Sequence, residues 1–376
     1  MRPDGPGEHL SPGTAAPGDL SPGTASPAQL NAPASAASGV RLGARDDDPP
    51  APSRARAWLA LVVLALAYAA LRLAMNREFA GAPWDELLDF SAAKPFGLRV
   101  LVPLLAWPLH ALLRVPTAWV FGLFEAVATA GLVLALASAL RLFMPRRWAT
   151  ALGALFVLLL PVPFLLQHRW PIFYPYDTPA MAFTAGGVAL LLRGRWRGAA
   201  ALACVAALNR ESAALLPAAA VALHLRAAPG HVPPDMSLRT LPTRQLLGRG
   251  LALAAAVAVA RLAVAVVLRD NPGAPVQLFV DDTPRLLANL AWLETPAHWL
   301  RLPAYLGFLP LAWLLLPGWM PAALRRLGWV ALAWLGALLW VANIDEPRVY
   351  GEAMVLLYIP VAVALQRWLQ AARPAV

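Results

Sequence analysis

Four short segments of a very apolar chain hold most of the side chains able to do chemistry. WDELLDF (84–90) supplies Asp85 and Glu86, with Lys94 and Arg99 close behind. HRWPIFYPYDTPA (168–180) carries His168, Arg169, Tyr174, Tyr176 and Asp177. LNRESA (208–213) brings Asn209, Arg210 and Glu211, and NIDEPRVYGE (343–352) brings Asp345, Glu346, Arg348 and Tyr350. A positioned carboxylate can take a proton from a hydroxyl. Guanidinium groups match phosphate oxygens bidentately and stabilise negative charge developing in a poorly solvated site. Converging from four segments, these residue types suit a cleft for a polar or phosphorylated substrate.

The elements that must position them are set by hydrophobicity. Hydrophobic residues make up 59% of the 376, charged residues 14%, and the mean hydropathy is +0.58; an ordinary globular domain is roughly 25% charged. Apolar stretches near 57–75, 117–140, 148–166, 178–192, 199–225, 250–268, 303–317, 327–343 and 353–366 predict an all-α, polytopic helical membrane protein. The stretch at 199–225 is interrupted by Asn209-Arg210-Glu211 and reads as a broken helix pair meeting at a polar tip. Residues 99–113 are short, contain Pro103 and Pro108, and decide the topology. If they lie flat as an interfacial helix, loops 141–147, 193–198, 226–249 and 318–326 and the C-terminus carry fourteen Arg against one acid, Asp235. The opposite loops then take twelve acids. By the positive-inside rule this arrangement places both termini in the cytoplasm and all four chemical segments at the outer face. The expected architecture is about eight full spans, the broken pair and the outer interfacial helix, in a bacterial inner membrane.

Charge and cysteine content exclude several classes. Residues 1–56 hold five Arg and six acids, net −1, so of the overall +10 the rest of the chain carries +11. Its basic residues are scattered between apolar runs rather than forming a basic stripe, which argues against nucleic acid. Cys204 stands alone, which removes disulfides and thiolate zinc sites. No phosphate-binding glycine motif and no H-E-x-x-H is present, and nothing calls for a cofactor or metal. The first 56 residues, with LSPGTA twice (10–15 and 20–25), are too poor in apolar surface to fold and are expected to be a disordered cytoplasmic tail. The apolar stretch from Ala57 runs on without a cleavage site and reads as a span rather than a signal peptide. Residues 367–376 form a short cytoplasmic tail on this topology.

Each candidate also has a plainer explanation. Asp85 and Glu86 can be solvated loop acids, and Asp177 can cap the helix that follows it. Arg210 can pair internally with Glu211, and Glu346-Pro347-Arg348 can be a polar turn. Glu125 and Arg261, inside spans, can pair with each other or snorkel. Trp148, Trp170, Trp299 and Trp329 fit an aromatic belt at the span ends.

With WDELLDF (84–90), PFGLRVLVPLLA (95–106), YPYDTPA (174–180), LNRESA (208–213) and DEPRVYGE (345–352), residues 57–366 resemble the GT-C-type multispanning glycosyltransferases that use lipid-linked sugars. The resemblance implies transfer of a sugar from a polyprenyl-phosphate donor at the outer face. It makes Asp85 or Glu86 the base at the acceptor, and Arg210 and Arg348 the phosphate contacts. Arg99, Tyr176, Asp177, Asn209, Glu211 and Glu346 complete the substrate site. The first outer loop has an adjacent Asp-Glu pair in place of D-x-D. Two other classes stay open: a lipid or solute transporter, leaning on buried charges at mid-depth, and a non-catalytic subunit of an envelope-polysaccharide system.

Overall fold

The computed structural model describes residues 53–165, 171–225, 241–280 and 282–372. The N-terminal tail to residue 52, His168, Arg169, Trp170, Asp235 and the last four residues lie outside this set. The described residues are mostly helical. Among the described residues six helices are long and apolar enough to cross a bilayer.

The chain opens with α1 (Arg54–Met75), started by Ser53, whose hydroxyl accepts from the Arg56 amide. Short α2 (Trp84–Leu88) and a 3-10 turn lead to α3 (Leu101–Leu113), which ends at Arg114 in the left-handed region. After Pro116 the chain enters α4 (Thr117–Leu140). Arg72 of α1 meets Glu125 of α4, and Leu73 meets Gly122, so the two helices run antiparallel. It follows that α3 begins and ends at the same end of the bundle. One side of α3 is buried through Leu101, Val102 and Ala106, while Leu104, Leu105, Trp107, Leu112 and Leu113 are exposed.

Next come α5 (Arg146–Leu155), a 3-10 turn and α6 (Pro161–Phe164), together one apolar rod of 19 residues tightened by Pro161 and Pro163. Helices α7 (Asp177–Leu192), α8 (Trp196–Asn209) and α9 (Leu215–His224) follow. The break between α8 and α9 falls where the sequence places it: Arg210 is extended and Glu211–Ala214 form a 3-10 turn. After α10 (Thr243–Val267) comes a small hairpin, β1 (Phe279–Val280) with β2 (Thr283–Pro284). Then follow α11 (Arg285–Leu293), α12 (Pro296–Tyr305), α13 (Leu309–Leu315), α14 (Ala322–Val341) and α15 (Gly351–Ala371). The single run expected at 303–317 is instead two pieces. Gly307 and Phe308, both at positive φ, separate α12 from α13; Pro303 lies inside α12 near its end, and Pro310 opens the first turn of α13.

The centre of the bundle is α15. Its apolar window is 94% buried, against 22% for α1 and 28% for α10 and α14. A helix apolar on every face belongs in the middle. The peripheral helices turn Leu59, Val62, Leu251, Leu262, Trp329 and Trp340 outward, apolar faces of the kind lipid suits.

Small residues let the helices approach: Ala199, Ala203, Ala206 and Ala207 are all buried on α8. At the crossing of α4 and α5 a Cβ on Gly153 would lie 2.9 Å from the Val133 carbonyl oxygen and 3.1 Å from the Ala137 nitrogen, backbone atoms that cannot step aside. Around Gly131 of α4 a Cβ would meet nothing within 4 Å. Gly153→Ala is therefore expected to lower the melting temperature in detergent. Gly131→Ala should raise stability by up to about 1 kcal/mol through helix propensity alone; equal effects from the two would contradict the close crossing.

Candidate functional site

At the end of the bundle where α1 stops and α7 begins lies a layered set of ion pairs. The deepest centres on Arg72, with its side chain fully buried. Its Nη1 donates to Glu125 Oε1 at 2.7 Å and to Thr178 Oγ1 at 2.9 Å, and Nη2 donates to Asp177 Oδ2 at 3.4 Å. The Thr178 hydroxyl donates to the same Glu125 oxygen at 2.6 Å. Phe164 and Phe173 sandwich the guanidinium, with ring centroids 4.2 and 4.9 Å away. A charge this deep is tolerable only when paired.

Asp177 joins this layer to the next. It is the first residue of α7, where the helix dipole favours an anion, but it does not act as the N-cap: that position is Tyr176. Its Oδ1 receives Arg210 Nη1 at 3.2 Å and lies 3.9 Å from Arg348 Nη1. Arg210 also reaches Glu352 Oε1 at 3.4 Å, and Ser212 Oγ donates to that oxygen at 2.5 Å. Arg348 pairs with Glu346 and lies over the Tyr174 ring at 4.0 Å.

The rim is built on aromatics. Phe96 stacks on Tyr174 (5.5 Å, 6°), and Tyr174 stacks on Tyr176 (5.3 Å). Arg99 covers the Tyr176 ring at 4.5 Å and donates from Nη2 to Glu211 Oε1 at 2.7 Å. The Arg99 side chain is 7% exposed and that of Glu211 is 47% exposed, so Glu211 forms the outer lip. Lys94 and Asn271 hold the segment that carries Arg99: the Lys94 amide donates to the Pro272 carbonyl, and Asn271 Nδ2 donates to the carbonyls of Phe90 and Ala92. Asn209 Nδ2 donates to the Tyr176 carbonyl at 2.8 Å. Among the described residues, Arg99 Nε and Nη1, the Tyr176 hydroxyl and Asn209 Oδ1 are buried without a hydrogen-bond partner. Burial pushes the Tyr176 hydroxyl up to about 12, so it remains a donor at neutral pH. Burial works against the Arg99 charge, yet its neighbours, Glu211 foremost, together outweigh it and the guanidinium is held more firmly protonated than usual.

Eight of the sequence-derived residues come together here: Arg99, Tyr176, Asp177, Asn209, Arg210, Glu211, Glu346 and Arg348. Asp85 and Glu86 sit apart on α2, both exposed. Asp85 Oδ1 accepts from Thr117 Oγ1 at 2.6 Å. Among the described residues neither acid pairs with an arginine of the network. Their link to it is Trp84, whose Nε1 donates to the Phe173 carbonyl and whose ring meets Phe173 edge-on.

Two suggested internal pairs give way to others. Arg210 turns to Asp177 and Glu352, leaving Glu211 to Arg99. Glu125 pairs with Arg72, while Arg261 donates to the carbonyls of Leu98 and Ala207 at the α8 break. Sequence reasoning passed over Arg72, Thr178, Ser212 and Glu352. The available signal was Arg72, a lone charge near the end of an apolar run that had to find a partner. Among the described residues no three of His, Cys, Asp and Glu gather as a metal-ligating set.

Removing one partner of a buried pair strands the other, at a cost of about 3–5 kcal/mol. Arg72→Met and Glu125→Gln are each expected to destabilise on that scale, and the double variant by clearly less than the sum. Thermal unfolding of all four proteins in one detergent measures the coupling; additive losses would refute the pairing. No protein-family model matches the chain, and no curated protein matches it.

Proposed function

We infer that the protein is a membrane glycosyltransferase of GT-C-like architecture, taking a sugar from a polyprenyl-phosphate donor at the outer, periplasmic face of a bacterial inner membrane. The observation that carries this reading is the set of buried donors without partners at the rim: Arg99 Nε and Nη1 and the Tyr176 hydroxyl. Burying such groups unsatisfied is costly, and a phosphate offers acceptors that suit all of them. The exposed apolar side of α3, directly after Arg99, provides a surface for an isoprenoid tail lying at the bilayer boundary.

The division of labour differs from the one the resemblance implies. Arg210 and Arg348 are already engaged by Asp177, Glu352 and Glu346, so on this reading they brace the site. Arg99 and Tyr176 then take the phosphate. As the acceptor oxygen attacks the anomeric carbon, the bond to the carrier phosphate breaks and the negative charge left on it falls to Arg99. The acceptor proton passes to an exposed carboxylate, for which Asp85 and Glu86 are the candidates. Eight full spans and cytoplasmic termini belong to the same proposal, with α3 lying flat. A transporter is the rival reading, favoured by the depth of the Arg72–Glu125–Asp177 charges.

Native mass spectrometry of the purified protein tests the assignment. Wild type and Asp85→Asn are expected to carry a polyprenyl phosphate or its sugar adduct, and Arg99→Gln at least tenfold less. Equal retention by Arg99→Gln, or no such lipid on intact wild type, would overturn it. Sugar transfer by Asp85→Asn and Glu86→Gln separates the two candidate bases, and full activity in the double variant would remove both.

A further inference from the structure

The opposite end of the bundle, where α7 stops and α10 begins, holds a cavity of about 980 Å3. Arg193, Arg195, Trp196, Arg197, His224 and Arg249 line it, and among the described residues no acid does. We propose that this cavity is a binding site for an organic phosphate, distinct from the rim site around Arg99 and independent of the function proposed for it.

The local chain builds the site. α7 ends in a Schellman turn: Gly194, at φ +67°, donates to the Leu191 carbonyl and Arg195 donates to that of Leu190, each at 2.9 Å. This reversal packs Arg193, Arg195 and Arg197 into five residues around Trp196. Arg193 is fixed by donating to the carbonyls of Ala189 and Ser138. The Trp196 ring rests on buried His224 at 4.9 Å, and the Arg249 guanidinium from α10 lies 5.2 Å from the same ring. His224 Nε2 is 3.1 Å from the Leu191 carbonyl, so it serves as a donor and the ring is held in place.

The arrangement is electrostatically frustrated. The first turn of α8 contains Arg197 and no acid, the wrong sign for that end of a helix. Arg193 is easier to deprotonate than usual because it is buried and because Arg195 and Arg141 repel its charge. Retention of basic residues on one side of a membrane accounts for their sign, since it acts on loops as a whole. It does not account for their convergence on a cavity floored by an aromatic ring. An anion relieves the repulsion, and the volume suits an organic phosphate better than a bare ion. Arg195, Arg197 and Arg249 are exposed and able to close on it.

Two sources share this chemistry, the headgroup of an acidic phospholipid and a soluble phosphate ester. Full-length protein in nanodiscs of neutral lipid would be titrated with phosphatidylglycerol or cardiolipin in one arm and ADP in the other, for wild type, Arg195→Gln/Arg249→Gln and Arg325→Gln. Arg325 is an exposed arginine at the same end outside the cavity, so it controls for general charge. We expect one arm to bind wild type and Arg325→Gln equally and the double variant at least tenfold more weakly, at unchanged melting temperature. The arm that responds names the source. Binding in neither arm, or equal weakening by Arg325→Gln, would overturn the proposal. Neither arm reads polyprenyl phosphate, so failure here leaves the Arg99 reading untouched.

Discussion

One buried carboxylate holds this end of the molecule together. Asp177 receives Arg72 on one oxygen and Arg210 and Arg348 on the other, and those arginines come from α1, the α8–α9 break and the turn before α15. In a bilayer, apolar helices gain little by leaving lipid for one another, so charge pairs and close small-residue contacts must specify which helices meet. Asp177 sits where the dipole of α7 already favours a negative charge. With Glu125 and Glu352 it offsets three guanidinium groups deep in the fold. Withdrawing one member leaves the rest unbalanced, so the layer is cooperative.

The same pairing separates residues that brace from residues free to act. Arg72, Arg210 and Arg348 are held by internal carboxylates, Arg72 with Nε alone left over, whereas Arg99 spends one nitrogen on Glu211 and leaves two without partners. A sequence shows only four similar arginines. Partner count distinguishes them, and the proposed lipid-phosphate contact shifts to Arg99 and Tyr176 for that reason. At the other end of the bundle the situation is reversed. Among the described residues the arginines around Trp196 have no acid as a cavity neighbour, whereas the charges of the Asp177 layer are matched.

Much of the fold was legible because hydrophobicity alone requires it. The long helices, the break at Asn209-Arg210-Glu211 and a separate short helix at 101–113 follow from apolar run length and the positions of proline and charge. The meeting of Arg99 with residues 174–177, 209–211 and 346–348 was legible from their residue types, whereas Asp85 and Glu86, expected with them, stand apart. Partner choice was not. Nothing in the spacing says that Arg210 faces Asp177 rather than its neighbour Glu211, because the extended backbone at Arg210 turns adjacent side chains in different directions. The split between α12 and α13 was missed for a similar reason: Phe308 adopts a left-handed conformation that its residue type does not announce.

Hydrogen exchange of Asp177→Asn beside wild type tests the central role of this carboxylate most directly. Asparagine keeps the shape and removes the charge that three arginines share. The account predicts faster exchange at once in the first turn of α7, at residues 208–214 and at residues 344–352, segments far apart in sequence that meet through Asp177 and its partners. Faster exchange confined to the start of α7, with the other two segments as protected as in wild type, would contradict it.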